Sequence, residues 1–95
     1  MFDYLKKYGL SDEEVNALTN SLEENDLYSL MNQYRVEKDL EYFSTLGINN
    51  HKQIILNAPF IFINPPSTLD RAIKNCKEEN IIDLIKEDPR NLILL

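Results

Sequence analysis

Apolar residues recur along this chain at the three-and-four spacing of helix faces, and Gly, Pro, Ser and Asn fall in the intervals between them. Phe2 to Tyr8 reads as a short helix, and Gly9 suits the position just past its end because glycine takes positive φ without strain. Ser11-Asp12-Glu13-Glu14 has the form of a capping box, in which Ser11 accepts from the amide three residues on and Glu14 reaches back. Val15, Leu18 and Leu22 follow at helical spacing, with Asn25 expected to end the run. Leu27, Leu30, Met31 and Tyr34 form the next stripe, and Val36, Leu40, Phe43 and Leu46 another, closed by Gly47. Asn50 to Asn57 carries Ile54, Ile55 and Leu56, and the residue before Pro59 marks a helix end.

Pro59-Phe60-Ile61-Phe62-Ile63 is ambiguous, because an apolar run rich in aromatic and β-branched residues also fits a strand. No second strand is available to pair with it, and a lone strand leaves its backbone groups unsatisfied. Pro59 fits better at the first position of a helical turn, where its missing N–H costs nothing. Asn64-Pro65-Pro66 breaks the chain, and Ser67 is expected to cap a helix reaching Lys77 with Leu69, Ala72, Ile73 and Cys76 on one face. Asn80 starts another short helix with Ile81, Ile82, Leu84 and Ile85; Asp88 then caps and Pro89 opens a last apolar turn to Leu95. The fold class predicted is all-α.

The chain also resembles itself. A shift of 30 aligns Phe43/Ile73, Leu46/Cys76, Ile54/Leu84, Ile55/Ile85, Pro59/Pro89, Phe62/Leu92 and Ile63/Ile93, and a shift of 38 lays Asp3–Leu10 on Glu41–Ile48. Such periods mark stacked units, none of which can bury its apolar face alone. The expectation is a single helical domain over 1–95, a short helical-repeat array with units of about 1–39, 40–69 and 70–95.

Leu46-Gly47-Ile48, then Ile54-Ile55, then Pro59-x-x-Phe62-x6-Leu69-x6-Cys76, resembles the mitochondrial transcription termination factor (mTERF) repeat. Ile85-x3-Pro89-x-x-Leu92 repeats the start of that pattern. Tyr8-Gly9-Leu10-Ser11 with Val15 keeps the glycine turn but lacks the proline, and the third unit has Lys77-Glu78 in place of Gly47-Ile48. The resemblance implies a superhelix of stacked two- or three-helix units with a concave binding face, which in that family is typically basic and grips nucleic acid.

Charge departs from that implication. The net charge is −6, and residues 1–48 hold ten acids against four bases, whereas residues 49–95 hold six of each. The N-terminal half therefore repels nucleic acid and anionic lipid, and the C-terminal half is electrically permissive. Ninety-five residues, 43% apolar and 27% charged, suit one small globular domain. No apolar run approaches the ~20 residues that cross a bilayer, so no membrane role is expected. The beginning, Met1-Phe2-Asp3-Tyr4, shows neither a secretory nor an organellar leader, and a lone cysteine fits a reducing compartment, so a cytoplasmic location is expected.

Candidate chemistry is sparse. His51 and Cys76 are too few for a zinc site, and Cys76 falls on the apolar stripe with Leu69 and Ile73, as a small core residue would. His51 reads as a solvent-facing or capping residue, with no serine or cysteine placed next to it. Asp12-Glu13-Glu14 and Glu23-Glu24-Asn25-Asp26 lack the alternation and central glycine of a calcium loop. The two glycines sit in no phosphate-binding motif, so no cofactor is expected. Arg71, Lys74 and Lys77 share one helix face at i, i+3, i+6, with Lys52 as a further candidate: a candidate phosphate row, or simply a solvated helix back.

All five tyrosines, Tyr4, Tyr8, Tyr28, Tyr34 and Tyr42, lie in the first 42 residues, where they fit core edges or a protein-binding face. The end, Leu92-Ile93-Leu94-Leu95, lacks the polar cap of a stacked array. These leucines either tuck into the core or meet a further unit or a second subunit. The expected function is a non-enzymatic interaction module that binds a protein partner or itself, with Tyr4, Tyr8, Tyr28, Leu94 and Leu95 as candidate contacts. The alternative is a nucleic-acid-binding mTERF-like protein of transcription using Lys52, Arg71, Lys74 and Lys77.

Overall fold

A computed structural model describes all 95 residues. Six α-helices run through it: α1 (Asp12–Ser21), α2 (Glu24–Met31), α3 (Gln33–Thr45), α4 (His51–Asn57), α5 (Pro66–Lys74) and α6 (Ile81–Glu87). Three 3-10 helices, Asp3–Tyr8, Pro59–Ile63 and Pro89–Leu94, complete the chain, and there is no strand. No helix is long and apolar enough to cross a membrane.

Local sequence explains most of the boundaries. Gly9 closes the first 3-10 helix at φ 98°, and Gly47 ends the turn after α3 at φ 79°, a left-handed conformation that a side chain would strain. The capping box forms as expected: Ser11 Oγ accepts from the Glu14 amide at 3.1 Å, and Glu14 Oε1 accepts from the Ser11 amide at 2.9 Å. Asp88 caps the last 3-10 helix by accepting from the Arg90 amide at 3.0 Å, with Pro89 at its first position. Pro59 likewise heads Pro59–Ile63, which is helical rather than extended.

Four expectations need correction. The Leu27–Tyr34 stripe is cut at Asn32, whose side chain accepts from the Arg35 amide and starts α3 afresh. Leu30 is buried on α2, whereas Met31 just before the cut and Tyr34 just after it are exposed. Asn25 does not end α1; that helix stops at Ser21, and Asn25 lies inside α2. Ser67 is not a cap, because α5 already starts at Pro66 with Pro65 outside it and no side-chain cap bond. Lys77 is not on α5, which stops at Lys74.

One core runs the length of the chain, from Leu5 through Leu30, Phe43, Ile55 and Phe62 to Leu92, all essentially inaccessible to solvent. The 30-residue shift relates parts of the backbone within it. The bonds Ile54 N–H to Asn50, Ala58 to Ile54 and Ile61 to Ala58 reappear as Leu84 to Asn80, Asp88 to Leu84 and Asn91 to Asp88. Ile55, Pro59 and Phe62 are buried, and so are Ile85, Pro89 and Leu92. Pro59–Ile63 packs on α4 and on α2, and Pro89–Leu94 packs on α6 and on α4. The correspondence stops at Ile48, which is buried where Glu78 is exposed.

Candidate interaction surface

Pro59–Ile63, α5 and Pro89–Leu94 converge on an apolar cleft of about 240 Å3, with Phe60 and Ile61 on one wall, Leu69 and Ala72 on another, and Leu92, Ile93 and Leu95 on the third. The local folding puts it there. Buried Phe62 and Leu92 anchor the two 3-10 helices, and the residues that follow them, Ile63 and Ile93, are turned outward. A second recess of about 380 Å3, lined by Cys76, Lys77, Glu78 and Leu94, shares Ala72 and Leu95 with the first.

The terminal apolar run is only partly tucked into the core. Leu92 is core, Leu95 is half-buried, and Ile93 and Leu94 are exposed at 72% and 47%. Ile63, at 54%, occupies the position in its segment that Ile93 occupies thirty residues on.

The four basic candidates do not act as a row. Lys74 Nζ pairs with Asp70 at 2.8 Å, and Lys52 Nζ pairs with Glu14 at 3.2 Å. Lys52 lines a different, polar cleft together with Lys7, Tyr8, Gly9 and His51. Arg71 and Lys77 are exposed, and neither has a carboxylate partner. Arg71 lies on α5 and lines neither apolar recess, whereas Lys77, in the turn after α5, lines the second one beside Glu78.

Most of the tyrosines spend their hydroxyls inside the molecule. Tyr4 donates to the Leu30 carbonyl, and Tyr42 donates to Asp70 Oδ1 at 3.0 Å, joining α3 to α5. Burial raises the Tyr42 phenol to about 12, helped by the Asp70 carboxylate, and burial raises Tyr4 also. The same bonds hold Asp70 below the usual carboxylate range, the Lys74 ammonium first and the Tyr42 hydroxyl second. Tyr8 packs edge-on to the His51 ring at 5.9 Å and is half-buried. Tyr28 stays exposed at 59%, alongside Met31 on the same helix.

Two arrangements were not foreseen. Ser44 Oγ lies 2.9 Å from His51 Nε2, so a serine does stand next to the histidine, brought there by the Gly47 turn. Partial burial lowers the His51 pKa, and the Ile48 carbonyl opposes that shift. The ring has no carboxylate partner, so the pair lacks the orienting acid of a triad. The other is Asp39, wholly inaccessible on α3, with neither carboxylate oxygen hydrogen-bonded. Its spacing of three from Val36 and four from Phe43 was a signal that it lies on the apolar face. No group of three or more His, Cys, Asp or Glu side chains is placed to hold a metal ion.

No protein family profile, curated protein or solved structure matches this chain.

Proposed function

We propose that this protein is a non-enzymatic helical interaction module, an array of stacked helix–helix–3-10 units that binds a protein partner at its C-terminal apolar cleft. The observation that carries the reading is that cleft itself: a recess walled by Phe60, Leu69, Leu92 and Ile93, with Lys77 and Glu78 lining the recess that adjoins it. Ile93, Phe60, Ala72 and Leu95 keep accessible apolar surface there, which a partner can cover. The stacked-array part of the reading is supported by the backbone bonds that recur after thirty residues and by each proline-headed segment packing on a helix of the unit before it. The test is a photo-crosslinking side chain at Ile93, with one at exposed Glu13 as the control. Protein adducts at Ile93 and none at Glu13 are the expected result; no adduct, or nucleic acid alone, overturns the reading.

An mTERF-like nucleic-acid function is the second reading. Its support is the order long helix, short helix, proline-headed 3-10 helix, which occurs at α3–α4–Pro59 and again at α5–α6–Pro89. The acid partners of Lys52 and Lys74 weigh against it.

A further inference from the structure

We propose that Arg35 and Asp39 form a proton-controlled latch on the Pro59–Ile63 segment: with Asp39 neutral the Arg35 guanidinium holds the Ile63 carbonyl, and when Asp39 ionises the guanidinium turns to it and lets that carbonyl go. Asp39 is wholly inaccessible on α3, and neither of its carboxylate oxygens has a hydrogen bond. Thirty residues on, Leu69 holds the same place in the repeat and is buried too, so the pattern puts an apolar side chain at this position. Arg35 stands four residues before Asp39, a spacing at which two side chains can meet on a helix. They form no ion pair. The guanidinium instead donates to the Ile63 carbonyl at 3.0 Å, the only hydrogen bond from α3 to Pro59–Ile63.

The two acceptors compete for one donor. A neutral carboxyl attracts the guanidinium weakly, and the carbonyl keeps it. An ionised carboxylate buried without donors is costly, and an Arg–carboxylate pair carries charge on both partners, so it displaces a bond to a neutral carbonyl. No other charge is free to answer Asp39. Pro59–Ile63, which packs on α3, has no titratable group. On α5, Asp70 is held by Lys74 and Tyr42, and Arg71 is exposed. On α2, Glu24 and Tyr28 are exposed, and Asp26 could only repel a second carboxylate. From Asp3–Tyr8, Lys7 and Tyr8 reach Glu37, Lys6 pairs with Asp12, and Tyr4 donates to the Leu30 carbonyl. On α3 itself Lys38 pairs with Glu41. Burial, which raises the carboxyl to about 7, and the weaker opposing pull of Arg35 are what act on Asp39. Phe60 and Ile61 of the held segment wall the apolar cleft, so the latch acts on one of its walls whatever the cleft binds.

The test is nuclear magnetic resonance of the whole isotope-labelled chain from roughly pH 5 to 9. The Asp39 side-chain carboxyl carbon should titrate with a midpoint near 7, and the Arg35 guanidinium and Ile63 carbonyl signals should move with that same midpoint. The Ile61 and Asn64 amides, bonded to the Ala58 and Ile61 carbonyls, should lose protection several-fold above it, once the base catalysis of exchange is divided out. In Asp39→Asn the Arg35 and Ile63 signals should keep their acid-side positions throughout, because an amide cannot ionise. In Arg35→Gln the Asp39 carboxyl should titrate higher than in the wild type, having lost its opposite charge, and Ile63 should no longer follow it. His51 titrates in a lower range, since burial depresses it, and its response should persist in both variants. The wild-type titration alone decides the matter should a variant fail to fold. An Asp39 that ionises near the ordinary value of about 4, or stays neutral to the end of the range, overturns the latch. So does ionisation that leaves Arg35 and Ile63 unmoved, or a movement that survives in Asp39→Asn.

Discussion

Arg35 and Asp39 stand one turn apart on α3, yet the guanidinium donates to the Ile63 carbonyl at 3.0 Å and leaves the buried Asp39 carboxylate with no hydrogen bond. A buried ionised carboxylate without donors is costly, so the group holds its proton. Burial pushes its pKa up to about 7, against a small opposing pull from Arg35.

Stability should therefore depend on pH in a particular direction. Between the ordinary Asp pKa near 4 and its own value near 7, native Asp39 keeps a proton that the unfolded chain has lost, so stability falls as pH rises through this window. Glu14, Glu37, Asp70 and Asp88 work the other way. Each is held below its ordinary value by hydrogen bonds, chiefly from the Ser11 amide, Lys7, Lys74 and Arg90 respectively, so their contribution is present above the unfolded pKa and lost as pH drops. The melting temperature should peak near pH 5, between the two effects. Asp39→Asn should remove the alkaline decline and stabilise the protein at pH 8 by about 2 kcal/mol. A scan of melting temperature against pH for both chains checks it; a maximum above pH 7 in the wild type is the contrary result.

Phe62 and Ile63 are neighbours with opposite surroundings, the first inaccessible and the second 54% exposed. Phe62→Ala should cost on the order of 3–5 kcal/mol, enough to unfold a small domain, because it removes the side chain at the centre of the core and leaves a cavity. Ile63→Ala should stay within about 0.5 kcal/mol, as surface truncations do. Urea titration of the two variants measures the contrast, and equal costs would place the whole segment on the surface.

Gly47 and Gly9 both hold positive φ, and each has a lysine side chain close by: an added Cβ would stand 3.3 Å from Lys86 Nζ at Gly47, a crowded contact, and 3.6 Å from Lys52 Cδ at Gly9, an ordinary one. Both Ala substitutions should destabilise by about 1 kcal/mol from backbone strain, with Gly47→Ala the worse of the two. Melting of the variants tests the order. Lys86→Ala in the Gly47→Ala background should recover the part due to crowding.

Reading the chain for apolar spacing found the core at Val36, Leu40 and Phe43, because side chains on one helix face share one environment. The same method ran Leu27 to Tyr34 into one stripe, since the spacing continues through a break that periodicity cannot register. The clue was Asn32, a residue whose side chain competes for backbone amides. Pro65-Pro66 concealed where α5 begins, as either proline could have been its first residue. Ser44 and His51 were invisible as a pair because a turn, not a helix, joins them. The cleft was legible only in part: Leu94 and Leu95 were named from the bare apolar end, but Phe60 and Ala72 reach it through tertiary packing.

Binding to nucleic acid should be weak at physiological salt. Affinity for a phosphate backbone grows with the number of phosphates neutralised, and for duplex it falls with salt by a slope near −0.9 for each. Of the four cations once grouped as a row, Lys52 and Lys74 are held by Glu14 and Asp70, and Lys52 lines another cleft. Arg71 and Lys77 remain, and two contacts set against a net charge of −6 leave little attraction for a polyanion. The dissociation constant for a random oligonucleotide should thus be weaker than the usual non-specific range of about 10⁻⁴–10⁻⁶ M. Fluorescence anisotropy across a salt series measures it, with duplex and single strands in parallel. Micromolar binding that weakens with salt and disappears in R71E/K77E would put the nucleic-acid reading first. If it disappeared instead on reversing Lys52 and Lys86, the binding face would be the α4–α6 side, where the Asn50 amide donates to the Ile85 and Lys86 carbonyls at 3.3 Å.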